Sequence, residues 1–356
     1  MTAVQAEESG PRVYADRVEF SFPDAERTLG GVRLAPSLST TALLDFRRSR
    51  FGWALTLPRP PVHRMEYKLT LVHRDGSYED VLDPTNPLTT PGAFGPKSVI
   101  QFPGYAEPAW LTAPALPGQH ATLEVPARGL GGPVEVLLWS PEGTPGDRPM
   151  PLLIANDGPE YERMAGLTQY AGALIAAGIL PPFGLALLAP GDRNEWYSAN
   201  SAYARALVEG VLPAIADMAS VPGPVVAMGA SLGGLAMLHA HRLFPPAFGG
   251  LFLQSGSFFD SRLDPQERDF ARFTRLTRFV LATRRPATNP RPVPVVLTCG
   301  AAEENLGNNR QMTGALLAQG YRARLAEVPD AHNYVAWRDA LHPVLTDLLT
   351  TVWSPA

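Results

Sequence analysis

Ser231 lies in the run Met228-Gly229-Ala230-Ser231-Leu232-Gly233-Gly234, which contains the pattern G-x-S-x-G. A serine hydroxyl attacks a carbonyl efficiently only when a neighbouring base takes its proton. The flanking glycines have a steric purpose. A serine raised on a tight strand-to-helix turn brings its neighbours' backbone too close for side chains two positions away. A helix beginning at the next residue favours negative charge there, and the N–H of Leu232 can face an oxyanion. A glycine-rich packing turn has the same pattern, so the surrounding residues carry the decision.

Seven histidines are available as the base. His63 and His73 fall in a β-like region and His120 in a linker region. His239 and His241 follow Ser231 on one helical run, but their i, i+2 spacing turns them to different faces and makes them a poor metal pair. His342 falls inside the last helical run. His332 alone follows a strand-like run, "ARLAEVPD", and precedes a helical one. Strands of a parallel sheet deliver their carboxyl ends to one edge, so His332 is expected to share an edge with Ser231. An imidazole base needs an acceptor that fixes its tautomer and stabilises the imidazolium. Glu303 and Glu304 leave the strand-like run "VPVVLTCG" at that edge, and Glu303 is nearer the strand end. Asp330 is the rival, although two residues from His332 it can equally cap its own turn. The chain order Ser231, Glu303, His332 is that of the α/β hydrolases.

The elements that must position these residues are legible as alternating patterns. "PLLIAND", "FGLALLAP", "PVVAMGAS", "GLFLQSGS", "VPVVLTCG" and "ARLAEVPD" read as short buried strands. Between them "YERMAGLTQYAGALIAAG", "SAYARALVEGVLPAIADMA", "LGGLAMLHAHRLF" and "MTGALLAQG" read as helices, and "VAWRDALHPVLTDLLTTVW" closes the chain as another. That alternation predicts an α/β fold with a mostly parallel sheet covered on both faces. "ATLEVPA" and "PVEVLLWSP" predict an antiparallel pair ahead of it. Earlier still, "RMEYKLTLVHRDGSYEDVLD" alternates around Asp75-Gly76, a two-residue hairpin signal, with "GWALTLP" and "TALLDF" as further strands. No helical period appears there, which predicts a small all-β, Ig-like sandwich. Residues 84–118 hold eight prolines. The expected division is a sandwich over 1–110, a proline-rich linker over 111–118 and a catalytic α/β domain over 119–356.

Composition narrows the function. The 356 residues are 45% hydrophobic and 18% charged, with a formal net charge of −4. Nothing in that balance points to nucleic acid or to an anionic membrane surface as a partner. A small-molecule substrate is expected instead. The single cysteine, Cys299, lies in an apolar run and reads as a buried thiol. The start, "MTAVQAEESGPRVYADR", lacks a basic-then-apolar leader, and no apolar run approaches the roughly 18 residues of a membrane helix. A cytoplasmic location is therefore expected. No phosphate-binding loop or clustered ligand set is visible, so no metal or organic cofactor is expected.

Arg193, Trp196 and Tyr197 follow the strand-like run "FGLALLAP", and Tyr161 and Trp337 lie just beyond loops at the same edge. Aromatic walls with one arginine suit an aromatic or anionic acyl group. Residues 262–291 hold eight arginines against three acidic residues. Phe270, Phe273, Leu276 and Val280 make an apolar stripe there, and Arg268, Arg272, Arg275 and Arg278 take the other face. That pattern is read either as a solvated helix face or, by analogy with hydrolases that carry a lid after this strand, as a basic lid that would attract an acidic ligand.

Several stretches together resemble the "Putative esterase" branch of the α/β hydrolases, which includes enterochelin (siderophore) esterases, feruloyl esterases and mycolyltransferases. They are "PLLIANDGPEY", "GDRNEWYSANSAYARALVEGVLPAI", "VVAMGASLGGLAM", "LFLQSGSFF", "CGAAEENLGNNRQM" and "DAHNYVAW", spanning about 150–340. "EYKLTLVHRDGSYEDVLDPTNP" resembles the sandwich that precedes the hydrolase domain in enterochelin-esterase-like proteins. The resemblance implies a serine carboxylic-ester hydrolase. It places the triad acid on Glu303, three residues after the strand-end glycine, and the histidine on His332. It also implies a second oxyanion donor just after an aspartate–glycine pair. Here that pair is Asp157-Gly158, and the next residue is Pro159, which has no N–H. Gly158 or Glu160 must donate instead, or the hole has one good donor, at a cost of roughly 3–4 kcal/mol of transition-state stabilisation. Two alternatives stay open at this point: acyl transfer to an alcohol on the same scaffold, and a binding protein that keeps the fold without the chemistry. For the sandwich, packing against the active-site rim ranks above carbohydrate binding.

Overall fold

The computed structural model describes residues 10–143, 149–218, 221, 224–285 and 291–354. The first residues read for a leader, Ala219 at the end of one expected helix, and 286–290 of the arginine-rich insertion lie outside them. The chain forms two compact units. One comprises the residues through Ala106 together with Gly300–Glu303 and Pro329–Asn333; the other is Glu107–Cys299, Glu304–Val328 and Tyr334 onward. The division is thus not a single cut in the chain.

The larger unit is built on an eight-stranded sheet. Its strands are β1 (Gly118–Val125), β2 (Val134–Pro141), β3 (Leu152–Asn156), β4 (Gly184–Leu188), β5 (Val225–Ala230), β6 (Phe248–Gln254), β7 (Pro294–Gly300) and β8 (Arg322–Val328). Their order is β1-β2-β4-β3-β5-β6-β7-β8. The β1–β2 and β2–β4 pairs are antiparallel, and β4–β3, β3–β5, β5–β6 and β6–β7 are parallel. The central strands are apolar throughout because both faces are covered. Leu152 and Ile154 of β3 pack into one core with Val225 and Ala227 of β5, while Leu153, Ala155, Val226 and Met228 pack into the other. After β3 the chain continues to β4 on one side and reaches β5 on the other. That reversal makes the carboxyl ends of β3 and β5 the switch point of the sheet, the usual place for a ligand in such folds.

The expected helices form, with breaks that the apolar period does not show. Gly166, at φ 59°, ends the helix Gly158–Ala165 before Leu167–Ala176 begins, so the expected single helix is two. His342 is not inside a continuous helix. Its φ −117° and ψ 129° place it in the extended region that a residue before proline prefers, ahead of Thr346–Trp353. The proline-rich stretch read as a linker is packed rather than free. Trp110 is buried edge-on to Tyr170, and Gln169 donates to the carbonyls of Trp110 and Ala113 at 3.0 and 2.9 Å. Among the described residues no helix is long and apolar enough to cross a membrane.

The smaller unit contains two sheets. Arg12–Val13, Arg17–Pro23, Gly52–Pro58 and Arg47–Arg48 form one; Leu29–Pro36, Arg64–His73, Lys97–Gln101 and Thr89–Thr90 form the other, with Tyr78–Val81 beside Arg64–His73. Val18, Phe20 and Leu57 from one sheet share a core with Val32, Leu34, Tyr67 and Leu69 from the other, which makes a β-sandwich. Two details depart from expectation. His73 N donates to Ser77 O at 2.8 Å and Gly76 has φ 86°, so the hairpin has a three-residue loop closed by a left-handed glycine. "TALLDF" contributes only a bridge at Asp45, and the strand Lys97–Gln101 arises within the proline-rich region.

His239 and His241 sit on the helix Leu232–Leu243 and are buried, and neither ring nitrogen of His241 has a hydrogen-bond partner among the described residues. Burial lowers each pKa from 6.5 to about 4. A folded value below the unfolded one means the contribution is complete above pH 6.5 and is lost as pH falls through 6.5 towards 4. Each histidine contributes on the order of 3 kcal/mol over that window. We expect unfolding midpoints in urea to drop between pH 7 and 5, and His241→Met to flatten that slope by about half relative to the native chain.

Candidate active site

The turn at Ser231 follows from its neighbours' size. Ser231 has φ 56° and ψ −124°, a conformation that costs on the order of 1–3 kcal/mol and persists only where the surroundings impose it. A Cβ on Gly229 would lie 2.5 Å from the carbonyl of Gly233, and one on Gly233 would lie 3.2 Å from Asp157 Oδ2. The turn is pinned by backbone: Ser231 N donates to Gln254 O at 2.8 Å, and Ser231 O accepts from Ser257 N at 3.1 Å. Leu232 opens the following helix, whose first-turn N–H groups have no acceptor within the helix. The Ser231 hydroxyl is 3.1 Å from the Ser257 hydroxyl.

Beside it, β3 ends at Asn156 and the chain turns left-handed at Asp157, φ 54°. Asn156 Nδ2 donates to Gly233 O at 3.0 Å and its carbonyl accepts from the Tyr203 hydroxyl, which ties this turn to the serine turn. Arg193 holds the buried Asp157 with two bonds, Nε–Oδ1 and Nη2–Oδ2, both 2.8 Å. Burial works against the guanidinium charge, but the bonds and charge of Asp157 more than offset it and its pKa stands above the ordinary arginine value. Asp157 is 1% exposed and Arg193 34%. Arg193→Met therefore strands a buried carboxylate, and we expect a loss of about 3–5 kcal/mol in denaturant unfolding. Arg193→Lys is expected to restore part of it, since an ammonium keeps the charge but not the paired geometry.

Gly158 opens the helix after Asp157, and its missing side chain is filled by the backbone of Leu187. Pro159 occupies the first turn and supplies no N–H, which leaves the amides of Gly158 and Glu160 as the two candidates for a second donor.

Glu303 and His332 belong to the other compact unit. His332 Nδ1 is 2.8 Å from Glu303 Oε2, and Glu303 Oε1 accepts from Gly300 N at 2.8 Å. The Glu303 side chain is 1% exposed and that of His332 is 37% exposed. A buried carboxylate bonded to one ring nitrogen of a part-exposed imidazole is the pairing a proton-transferring histidine needs. Asp330 is engaged elsewhere: its Oδ1 accepts from Ala331 N at 2.7 Å and Asn333 Nδ2 at 2.9 Å. Burial raises its pKa to about 6 despite those bonds.

The aromatic residues expected to wall a pocket are placed differently. Tyr161, Trp196, Tyr197 and Trp337 are all buried. Tyr161 donates to Gln254 Oε1 at 2.7 Å, Tyr197 OH accepts from Asp157 N at 3.2 Å, Trp196 Nε1 donates to Leu130 O at 3.1 Å, and Trp337 Nε1 donates to Ser255 Oγ at 2.9 Å. Each ring spends its surface on core packing and its polar atom on fixing a turn, because a buried N–H or O–H must find a partner. Only Arg193 of the set keeps appreciable exposure. The insertion also differs. Its helix runs Phe273–Thr283 and buries Leu276 and Val280, so Phe270, Arg268 and Arg272 precede it. Arg272 and Arg275 pair with Glu195, and Arg284 pairs with Asp260. Those three arginines are spent on internal contacts.

Sequence reasoning missed Asn156, Gln254, Ser257 and Asn309. Gln254, fully buried, bridges β6 to Trp337 O at 3.0 Å, and Asn309 clamps the turn after β6 through both Gly256 N and Gly256 O. Asn156 and Gln254 carried a signal, a polar residue at the end of an otherwise apolar strand; Ser257, past the strand end, and Asn309, inside the helix Leu306–Ala318, carried none. Among the described residues no group of three or more His, Cys, Asp or Glu side chains is arranged to hold a metal ion.

Residues 127–348 match the family described as "Putative esterase". The chain belongs to this esterase family. One curated relative, an iron(III) enterobactin esterase of Dickeya dadantii (strain 3937), is 31% identical over 209 residues, 56% of this chain; the chain spans about half of that relative's length, 48%. Two solved structures are similar over nearly the whole chain. The ferric enterobactin esterase of Salmonella typhimurium has 20% identity and a TM-score of 0.77, covering 97% of each chain. The enterobactin esterase of Shigella flexneri in the presence of enterobactin has 19% identity and a TM-score of 0.75, with the same coverage. This esterase-family chain therefore has the α/β-hydrolase fold with an N-terminal all-β sandwich.

Proposed function

We propose that this chain is a serine carboxylic-ester hydrolase acting on siderophore esters of the enterobactin type. The observation that carries the reading is the strained serine turn at φ 56°, beside Gly229, where a Cβ would meet the Gly233 backbone at 2.5 Å. Such strain persists where a nucleophile must be presented. In this reading Ser231 Oγ attacks the ester carbonyl as His332 Nε2 takes its proton. The developing oxyanion meets the N–H of Leu232 and that of Gly158 or Glu160. His332 then returns the proton to the leaving alkoxide oxygen, the acyl–oxygen bond breaks, and an acyl-Ser231 remains. Water, deprotonated by His332, attacks that ester and releases the acid. Glu303 keeps Nδ1 protonated throughout and stabilises the imidazolium.

Membership of the esterase family, together with relatives whose names specify enterobactin, favours this substrate class. Arg193, although part-exposed beside the β3 turn, has Nε and Nη2 committed to Asp157, so the substrate class rests on the relatives and not on this charge. The test is a panel of siderophore lactones, feruloyl esters and simple aryl esters. The highest kcat/KM is expected for the lactones, with no turnover of any ester by Ser231→Ala. Activity confined to feruloyl or aryl esters overturns the substrate class, and undiminished turnover by Ser231→Ala overturns the mechanism.

A further inference from the structure

The segments carrying the acid and the base do not cluster with the sheet from which they emerge. Gly300–Glu303 and Pro329–Asn333 belong to the same compact unit as the β-sandwich. The attachment is specific. Ser39 N donates to Ala302 O at 2.8 Å, and His63 N donates to Pro329 O at 2.7 Å. Ala302 is buried and counts among the sandwich core residues. The neighbouring strand Arg64–His73 supplies a buried charge: Arg64 Nη1 donates to Glu66 Oε1 at 2.8 Å and reaches Asn333 Oδ1 at 3.4 Å. Lys97 Nζ lies 3.3 Å from Glu66 Oε2. Asn333 in turn donates to Asp330 Oδ1 at 2.9 Å. His332 therefore sits on a turn whose two flanks are joined by Asn333–Asp330 and anchored to the sandwich at His63 and Arg64.

Resting on the triad reading above, we propose that Arg64 and Asn333 are positioning residues: the sandwich sets the turn that holds His332 against Glu303. The physical requirement is strict. A bond of 2.8 Å between Nδ1 and Oε2 fixes the ring only while the backbone at 332 stays put. A buried guanidinium already fixed by Glu66 is a rigid anchor for the Asn333 amide, whereas a solvent-exposed one would not be. The role assigned to the N-terminal unit is thus to orient the base, and no contact of Arg64 or Asn333 with substrate is invoked.

The test uses the full chain, with turnover per active site counted by fluorophosphonate titration so that misfolded protein is not counted. Asn333→Ala cuts the link and leaves the Arg64–Glu66 pair intact, so it serves where Arg64→Met fails to fold. The expected result is a 10- to 100-fold fall in kcat per titrated site with KM within about twofold. A purely structural role lowers the unfolding midpoint and leaves kcat per titrated site where it was; that result overturns the proposal. His332→Ala in parallel separates the two readings. If it loses activity while Asn333→Ala and Arg64→Met keep theirs, the positioning role alone fails. If His332→Ala itself keeps activity, the triad reading fails.

Discussion

Ser231→Ala is expected to lower kcat for ester hydrolysis by roughly 10⁶, with KM changed far less. Losing the nucleophile of a serine–histidine unit disables the whole unit, leaving only the contribution of binding and the oxyanion donors. The fold should tolerate the change. Alanine keeps the Cβ that the φ 56° turn already accommodates, and the one side-chain bond lost is that to the Ser257 hydroxyl, a loss of about 1 kcal/mol. Stopped or discontinuous assays with a chromogenic ester, alongside urea unfolding, check both halves. A fall in activity matched by a large fall in stability would assign Ser231 to folding instead.

Glu303→Gln is expected to cost roughly 10⁴ in kcat, for a reason specific to the local bonds. Glu303 Oε1 already accepts from the Gly300 N–H, and Oε2 faces His332 Nδ1. In a glutamine only one of those atoms remains an acceptor. The backbone donor at Gly300 cannot turn away, so the carbonyl goes there and the NH₂ faces Nδ1. That makes Nδ1 the acceptor and moves the imidazole proton to Nε2, where it blocks uptake of the serine proton. Steady-state kinetics and the ¹⁵N shifts of His332 report the two consequences together. Glu303→Gln with near-native turnover would place the orienting carboxylate elsewhere, and Asp330 is the residue to try next.

How far these elements are legible in the sequence depends on what signal each residue leaves. The strands of the sheet are readable because both faces are buried, which forces unbroken apolar runs such as "LLIAN" and "VVAMGA". The serine turn is readable because a Cβ at 229 would strike the Gly233 backbone and one at 233 would crowd Asn156 and Asp157. Glu303 and His332 are readable as polar residues just past strand ends. The breaks at Gly166 and His342 escape the apolar period, which runs through them unaltered; a glycine and a proline were the local signs. The pocket aromatics were misplaced for a different reason. Position after a strand fixes the edge at which a residue lies, but not whether its ring turns outward or, like Tyr161 and Tyr197, inward to hold a turn. The attachment of 300–303 and 329–333 to the sandwich leaves no sequence signal, since it joins residues some 270 positions apart, as Arg64 and Asn333 are.

The most direct measurement is to treat the native chain with a fluorophosphonate and map the adduct by peptide mass spectrometry. The adduct is expected on Ser231 alone, absent in Ser231→Ala and formed far more slowly in His332→Ala. An adduct on Ser255 or Ser257 in place of Ser231, or equal labelling of the native and His332→Ala chains, would contradict the assignment of Ser231 as a nucleophile activated by His332.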